Sequence, residues 1–346
     1  MKKDIRTYTY RQLEKEIQEL GEKKFRARQI YTWLHVKLAE RFEEMTDLSK
    51  ELRERLEGEF VILPVTMAAR QESKIDGTNK FLFRLWDGNV IESVLMPYRH
   101  GNSVCISSQA GCRMGCKFCA STIGGLARNL SPSEMLGQVY QIQKITGQRV
   151  SNVVVMGTGE PLDNYENFLC FIRLLTDENG LHISQRNVTA STCGLAPEIR
   201  KLADEKLQIT LALSLHAPTQ EKREALMPVA RRYPLGEVLQ ACDEYFRKTG
   251  RRITFEYSLV RGVNDTDQDV KELVQILKHR NCHLNLIPVN PIEEREFKRP
   301  DAKNTFNFKN KLEKSGINVT IRREMGADID GACGQLRRRM IKGEDL

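Results

Sequence analysis

The chain has 346 residues, in which 54 Lys and Arg outnumber 46 Asp and Glu for a net charge of +8, with an isoelectric point near 9.0. That length suits one large barrel-like domain plus a small accessory one, and the modest basic excess suits a polyanionic partner without requiring one. No apolar run follows the charged start Met1-Lys2-Lys3-Asp4-Ile5-Arg6 and no stretch approaches a membrane span, so neither a secretory signal nor a membrane anchor is expected. Nine cysteines, odd in number and partly clustered, fit a reducing cytoplasm better than a disulfide framework.

In chain order, residues 10–20, 27–38 and 48–56 carry apolar side chains at helical spacing, with Asp47 or Ser49 able to cap the last helix. They define an N-terminal helical accessory domain over 1–62. The pattern changes at Pro64. Apolar runs 81–85 and 90–96 flank Asp87-Gly88, a hairpin signal that places Glu92 in a linking region over 63–97. Strand candidates then follow at 104–108, 153–156, 187–191, 209–215, 253–259, 284–289 and 319–322. Helix-length segments such as 132–146, 163–176 and 267–278 lie between most of them. This rhythm predicts an α/β fold, an incomplete parallel (β/α) barrel over 98–328 with a C-terminal segment over 329–346. In such barrels chemistry gathers at the C-terminal ends of the strands.

The sharpest motif is Gly111-Cys112-Arg113-Met114-Gly115-Cys116-Lys117-Phe118-Cys119. Three thiolates at C-x3-C-x2-C spacing can grip three irons of a 4Fe–4S cube, leaving the fourth iron open to a small molecule. Two rival readings stay open at this level. A structural zinc site wants four protein ligands, commonly two C-x2-C pairs, and a redox pair of Cys116 and Cys119 leaves Cys112 unexplained.

Met156-Gly157-Thr158-Gly159-Glu160-Pro161 follows a buried-looking strand. Its glycines admit close backbone approach, and Glu160 can accept a hydrogen bond from an amino group. Ser191 ends the next strand, Ser214-Leu215-His216 the one after, and Asn290 follows Leu286-Ile287-Pro288-Val289. Each alone reads as an ordinary strand-end polar group; their shared topological position points to a binding site.

Taken in order, these motifs resemble the radical S-adenosylmethionine superfamily. With Ser214-Leu215-His216-Ala217-Pro218, Asn285-Leu286-Ile287-Pro288 and the segment from Asp328 through Ala332-Cys333-Gly334 to Leu336, they resemble its RlmN-type methyltransferases. The likeness also takes in Arg28-Gln29-Ile30 and Met45-Thr46-Asp47-Leu48-Ser49, so it spans nearly the whole chain. It implies methylation of adenine C2 in 23S rRNA, in the peptidyl transferase centre, and at the adenine 3′ to the anticodon in tRNAs. It implies a 4Fe–4S cluster on Cys112, Cys116 and Cys119, and S-adenosylmethionine contacts from Gly159, Glu160, Ser191, Ser214, Leu215, His216 and Asn290. Cys333 would carry the methyl group, Cys105 would resolve the protein–RNA adduct and Glu92 would accept the proton. The Cfr type, which methylates mainly adenine C8, typically reads Gly-Glu-Ala where this chain has Gly159-Glu160-Pro161 and Ile-Arg where it has Ile287-Pro288. Both departures favour C2. A flavodoxin or ferredoxin is the expected electron donor, and a monomer the expected state.

The chemistry is consistent with that resemblance. Adenine C2 is an electrophilic carbon, so it cannot attack a sulfonium methyl directly, whereas a thiolate can. A 5′-deoxyadenosyl radical, supplied by the cofactors, would then activate the methyl on Cys333 for addition to C2. Release needs a base for the C2 proton and a second thiol to attack the Cys333 sulfur. Cys105 lies seven residues before the motif, at a strand end. Gly331-Ala332-Cys333-Gly334 reads as a close-approach loop, whereas Cys170, Cys193, Cys242 and Cys282 read as core cysteines. Basic clusters at Arg231-Arg232, Arg251-Arg252, Arg322-Arg323 and Arg337-Arg338-Arg339 can meet phosphates. A cluster-bearing RNA-binding module without methyl transfer is the rival of a different class, and production of 5′-deoxyadenosine separates the two.

Overall fold

The computed structural model describes residues 2–290, 295–329 and 335–342. Its centre is a ten-stranded sheet. From Gly101–Cys105 through Val150–Val155, Val188–Thr192, Thr210–Ser214, Ile253–Leu259 and Cys282–Pro288 to Val319–Ile321, every neighbouring pair runs parallel and the spatial order follows the chain order. Crossover helices, including Pro132–Thr146, Tyr165–Thr176, Leu235–Thr249 and Asp267–Leu277, connect them. The end strands do not meet, so the expected open barrel is what forms. Buried apolar runs such as Leu211–Leu213 explain the parallel strands, since both of their faces are covered.

The region after Pro64 differs from a simple linking hairpin. Val65–Glu72, Asn79–Leu85 and Val90–Tyr98 form an antiparallel meander that extends the barrel sheet itself, joined through Val94 opposite Cys105. The Asp87-Gly88 turn fixes its register, placing Leu82 opposite Glu92 and Lys80 opposite Val94. Alternation along a strand therefore puts Lys80 and Glu92 on the same face, one diagonal step apart.

The N-terminal helices Tyr10–Glu19, Phe25–His35 and Lys50–Glu59 are bracketed by a short parallel pair, Lys3–Asp4 with Phe60–Val61. They do not form an isolated body. Their apolar residues share one continuous core with the barrel. Helix Pro132–Thr146 begins with a reciprocal cap, Ser131 N–H donating to Glu134 Oε2 at 2.9 Å. It receives the N-terminal region through the Ser133–Asp4 hydrogen bond and a 2.7 Å contact between His35 Nδ1 and Tyr140 Oη. No helix among the described residues is long and apolar enough to cross a membrane.

His35 is fully buried, and burial, aided by the Arg6 charge, lowers its pKa from 6.5 to about 3. The native state thus refuses a proton that the unfolded chain accepts below about pH 6.5. The favourable neutral-state contribution is lost as pH falls through that window, at about 1.4 kcal/mol per pH unit. In urea titrations between pH 7 and pH 4, His35→Gln should show a shallower loss of stability with acid than the parent chain. Equal slopes would mean that His35 is not kept neutral.

Candidate active site

Gln109–Gly111 pairs antiparallel with Leu126–Asn129, and the loop between them carries all three cysteines of the motif. The loop is tied off where Cys112 N–H donates to Gly125 O at 2.9 Å. Gly111 has φ +84°, and a Cβ there would lie 2.1 Å from the same carbonyl, so only glycine permits this closure. Further along, Thr122 Oγ1 donates to the carbonyls of Cys116 and Cys119 at 3.1 and 2.9 Å. Lys117 N–H donates to Leu226 O at 2.9 Å, docking the loop on the Gln220–Leu226 helix. Arg113 pairs with Asp163 on its outer side. Burial pushes the Cys112 thiol up to about 12 and raises Cys116 as well, with the neighbouring sulfurs adding to both shifts. Thiols held this way ionise when a metal takes the place of the proton.

The glycine-rich segment after Val150–Val155 is clamped to residues 106–109. Thr158 O accepts from the backbone N–H groups of Ser108 and Gln109 at 2.9 and 3.1 Å, and Glu160 N–H donates to Gln109 Oε1 at 2.9 Å. Gly159, at φ +109°, leaves no room for a Cβ, which would meet Gln109 Cβ at 2.6 Å. The Glu160 carboxylate is buried, which raises its pKa. It accepts backbone N–H bonds from Leu162 at 3.1 Å and Cys193 at 2.7 Å. Two acceptor oxygens with several lone pairs leave capacity for a further donor.

Across the next strand ends, Ser191 Oγ lies 3.3 Å from Ser214 Oγ. His216 adopts φ +55°, a strained conformation for a side-chain-bearing residue and one that recurs at functional sites. Its Nδ1 accepts from Ser258 N–H at 2.9 Å, and its ring meets Phe118 edge-on at 4.7 Å. Burial, with the Arg223 charge, lowers its pKa to about 3, so the ring is neutral. Asn264 Nδ2 donates to the His216 carbonyl at 2.7 Å and holds the strained turn.

One pocket gathers these groups. Cys112, Cys116, Cys119, Gly159, Glu160, Ser191, Ser214 and His216 all line it. Two further candidates are not brought to its wall. The Leu215 side chain is fully buried in the core, with its N–H on Glu256 O, and Asn290 is exposed beyond the end of Cys282–Pro288. Cys193, expected as a plain core cysteine, is buried but lines the pocket as well, because its N–H must reach Glu160.

Glu92 and Cys105 lie on the antiparallel side. Cys105 packs with Val94 and Met96 in a small apolar cluster separate from the main core, flanked by Met156 and Met325. Met156 also lines the pocket, so a single side chain separates the two places. The Glu92 carboxylate is buried, 3.3 Å from the ammonium of fully buried Lys80, and accepts from Arg337 N–H at 2.6 Å. Lys80 is a partner that the sequence reading missed. Its signal is the hairpin register, which sets it diagonally across from Glu92. Cys333 lies outside the described residues. Of the basic clusters, Arg231, Arg232, Arg252, Arg322 and Arg323 are exposed, whereas Arg337 donates through Nε to Val90 O at 2.8 Å.

Residues 3–62 match the ribosomal RNA large subunit methyltransferase N-terminal domain, and residues 106–276 match the radical SAM superfamily. The chain is 63% identical to a probable dual-specificity RNA methyltransferase RlmN from Lachnoclostridium phytofermentans, over 97% of this chain and 94% of the relative. It is 60% identical to its counterpart from Lachnospira eligens, over 99% and 98% respectively. Its fold superimposes on the crystal structure of a radical SAM methyltransferase from Sphaerobacter thermophilus with a TM-score of 0.92 at 42% identity, covering 96% of this chain and 98% of that one. With identity this high over nearly its whole length, and with the cysteine loop facing the strand ends in one pocket, the chain belongs to the RlmN family of radical SAM RNA methyltransferases.

Proposed function

We propose that this methyltransferase acts on C2 of adenine, in 23S rRNA at the peptidyl transferase centre and in tRNA 3′ to the anticodon, with Cys333 as an intermediate methyl carrier. The observation that carries the reading is the single pocket that joins the thiols of Cys112, Cys116 and Cys119 to Gly159, Glu160, Ser191, Ser214 and His216, with Met156 leading from it to Cys105. The donor set fits a multi-iron cluster. The three thiols share one pocket, and their C-x3-C-x2-C spacing supplies three protein ligands where a structural zinc site wants four. Cys112, Cys116 and Cys119 would hold a 4Fe–4S cluster. Glu160, Ser191, Ser214 and His216 would orient S-adenosylmethionine, with Gly159 allowing its close approach and Leu215 and Asn290 completing the set through backbone or strand-end groups. Together these cofactors supply the methyl group and the reducing electron.

The chain's own residues do the rest. The Cys333 thiolate would accept a methyl group by displacement and later join it to adenine C2, covalently linking RNA to protein. Glu92 would take the C2 proton, its carboxylate held in place by Lys80 and by the Arg337 amide at the start of the Gln335–Lys342 helix. The Cys105 thiolate would attack the Cys333 sulfur, releasing the methylated base and leaving a disulfide that cellular thiols reduce. A cytoplasmic setting, a flavodoxin or ferredoxin as electron donor and a monomeric working state belong to the same proposal. The exposed basic surface, including Arg231, Arg232, Arg322 and Arg323, would meet RNA phosphates.

Anaerobically reconstituted protein should bind about four irons with thiolate-to-iron absorption. Replacing Cys112, Cys116 or Cys119 by Ala should abolish both that absorption and the formation of 5′-deoxyadenosine. Full activity with stoichiometric zinc and no iron would sink the cluster assignment.

A covalent intermediate makes failed release visible. Cys105→Ala and Glu92→Gln should each accumulate a nuclease-sensitive protein–RNA band, the second variant keeping an acceptor for Lys80 and the Arg337 amide. Cys333→Ala should accumulate none, since it never forms the bond. Normal turnover by Cys105→Ala without a crosslinked band would assign the resolving step elsewhere.

A further inference from the structure

The Gln220–Leu226 helix packs directly beneath the cysteine loop. Besides the Lys117–Leu226 hydrogen bond, a Cβ at Gly115 would lie 3.5 Å from Pro228, and Met227 lines the pocket. Arg223 points from this helix into the interior, and its side chain is 0% exposed. Its Nη2 donates to the carbonyls of Cys193 at 2.6 Å and Ser214 at 3.3 Å. Among the described residues, Nε and Nη1 have no hydrogen-bond partner. The titratable groups that bear on the guanidinium are the sulfurs of Cys193, Cys116 and Cys242, buried thiols rather than ionised carboxylates. A guanidinium stays charged at every working pH, and a buried cation without a counter-ion is costly.

We infer that Arg223 is the buried counter-charge of the proposed iron–sulfur cluster, a positioning residue that favours the reduced, more negative form and so raises its reduction potential. The placement fits this role and not direct contact with S-adenosylmethionine. Arg223 does not line the pocket, while Cys116, Cys193 and Ser214, the groups it bears on, do. It therefore lies one layer behind the wall, close enough for its charge to act on the cluster through a water-free medium of low dielectric. Each thiolate ligand adds negative charge at the loop, and reduction adds one electron more. A fixed cation nearby stabilises that added charge, and burial and nearby charge are the levers by which proteins set cluster potentials. The wall is tight at this point: a Cβ at Gly194, which has φ +100°, would come within 2.9 Å of Val238 Cγ1 and 3.1 Å of Arg223 Nη2.

The inference rests on the cluster assignment, and a redox titration of the reconstituted full chain separates the two. Low-temperature electron paramagnetic resonance during titration with dithionite reads the midpoint potential, with and without S-adenosylmethionine. Arg223→Gln should shift it to a more negative value even without S-adenosylmethionine. Arg223→Lys, which keeps the charge, should restore it toward the parent value. If the Gln variant fails to retain iron while the Lys variant loads with a parent-like potential, the counter-charge role is likewise supported. Identical potentials in parent and Gln variant at equal iron content would overturn the inference, as would a shift seen only with S-adenosylmethionine bound. Equal loss of iron in both variants would reduce Arg223 to a structural residue and overturn it too. A parent protein that binds no iron would instead overturn the cluster assignment itself.

Discussion

Ser107 is the point on which the site's geometry depends. Its hydroxyl donates to the Glu92 carbonyl at 2.7 Å and accepts from Thr158 N–H at 3.0 Å. Its own backbone N–H and C=O are both satisfied by the side chain of Gln138, at 2.8 and 2.9 Å. One residue thus ties together the strand of the proposed base, the glycine-rich segment and the helix behind the sheet. Two residues on, Gln109 extends the same clamp to Glu160, Asn129 and Asp163. All of these groups are buried or partly buried, where an unmade hydrogen bond costs about 1–3 kcal/mol, so the network holds one arrangement and resists others. The cysteine loop begins immediately after it and inherits its position.

Ionic groups are buried around the pocket at a density that stability alone would not favour. Glu160, the Lys80–Glu92 pair and Arg223 are all withdrawn from water, each at a desolvation cost of several kcal/mol in principle. Their compensation is local and specific: backbone amides for Glu160, an opposite charge and a helix N-terminus for Glu92, and two carbonyls for Arg223. Replacing such groups by well-packed apolar residues is often neutral for stability. Their retention is therefore not explained by stability alone.

Much of this was legible in the residues. The cysteine spacing, the glycine-rich segment and the strand-end Ser and His positions converge on a pocket, because the parallel βα rhythm brings successive strand ends to one side. The open barrel followed from the same rhythm. The meander over Val65–Tyr98 was less legible: alternation and a turn identify a hairpin, but joining the barrel edge is a long-range pairing that no local pattern encodes. Likewise the hairpin Gln109–Gly111 with Leu126–Asn129 is too short to carry a periodic signal. Cys193 and Arg223 were hidden for a different reason. Their significance depends on the packing of a helix against a loop more than a hundred residues away in sequence, as Lys117 on Leu226 illustrates.

Methylation at adenine C2, as proposed, removes the C2 hydrogen. The most direct measurement uses an RNA substrate deuterated at adenine C2, followed by nuclease digestion and mass analysis of the modified nucleoside. C2 methylation yields 2-methyladenosine with the C2 deuterium lost and C8 untouched. A product methylated at C8 with the C2 deuterium retained would contradict it.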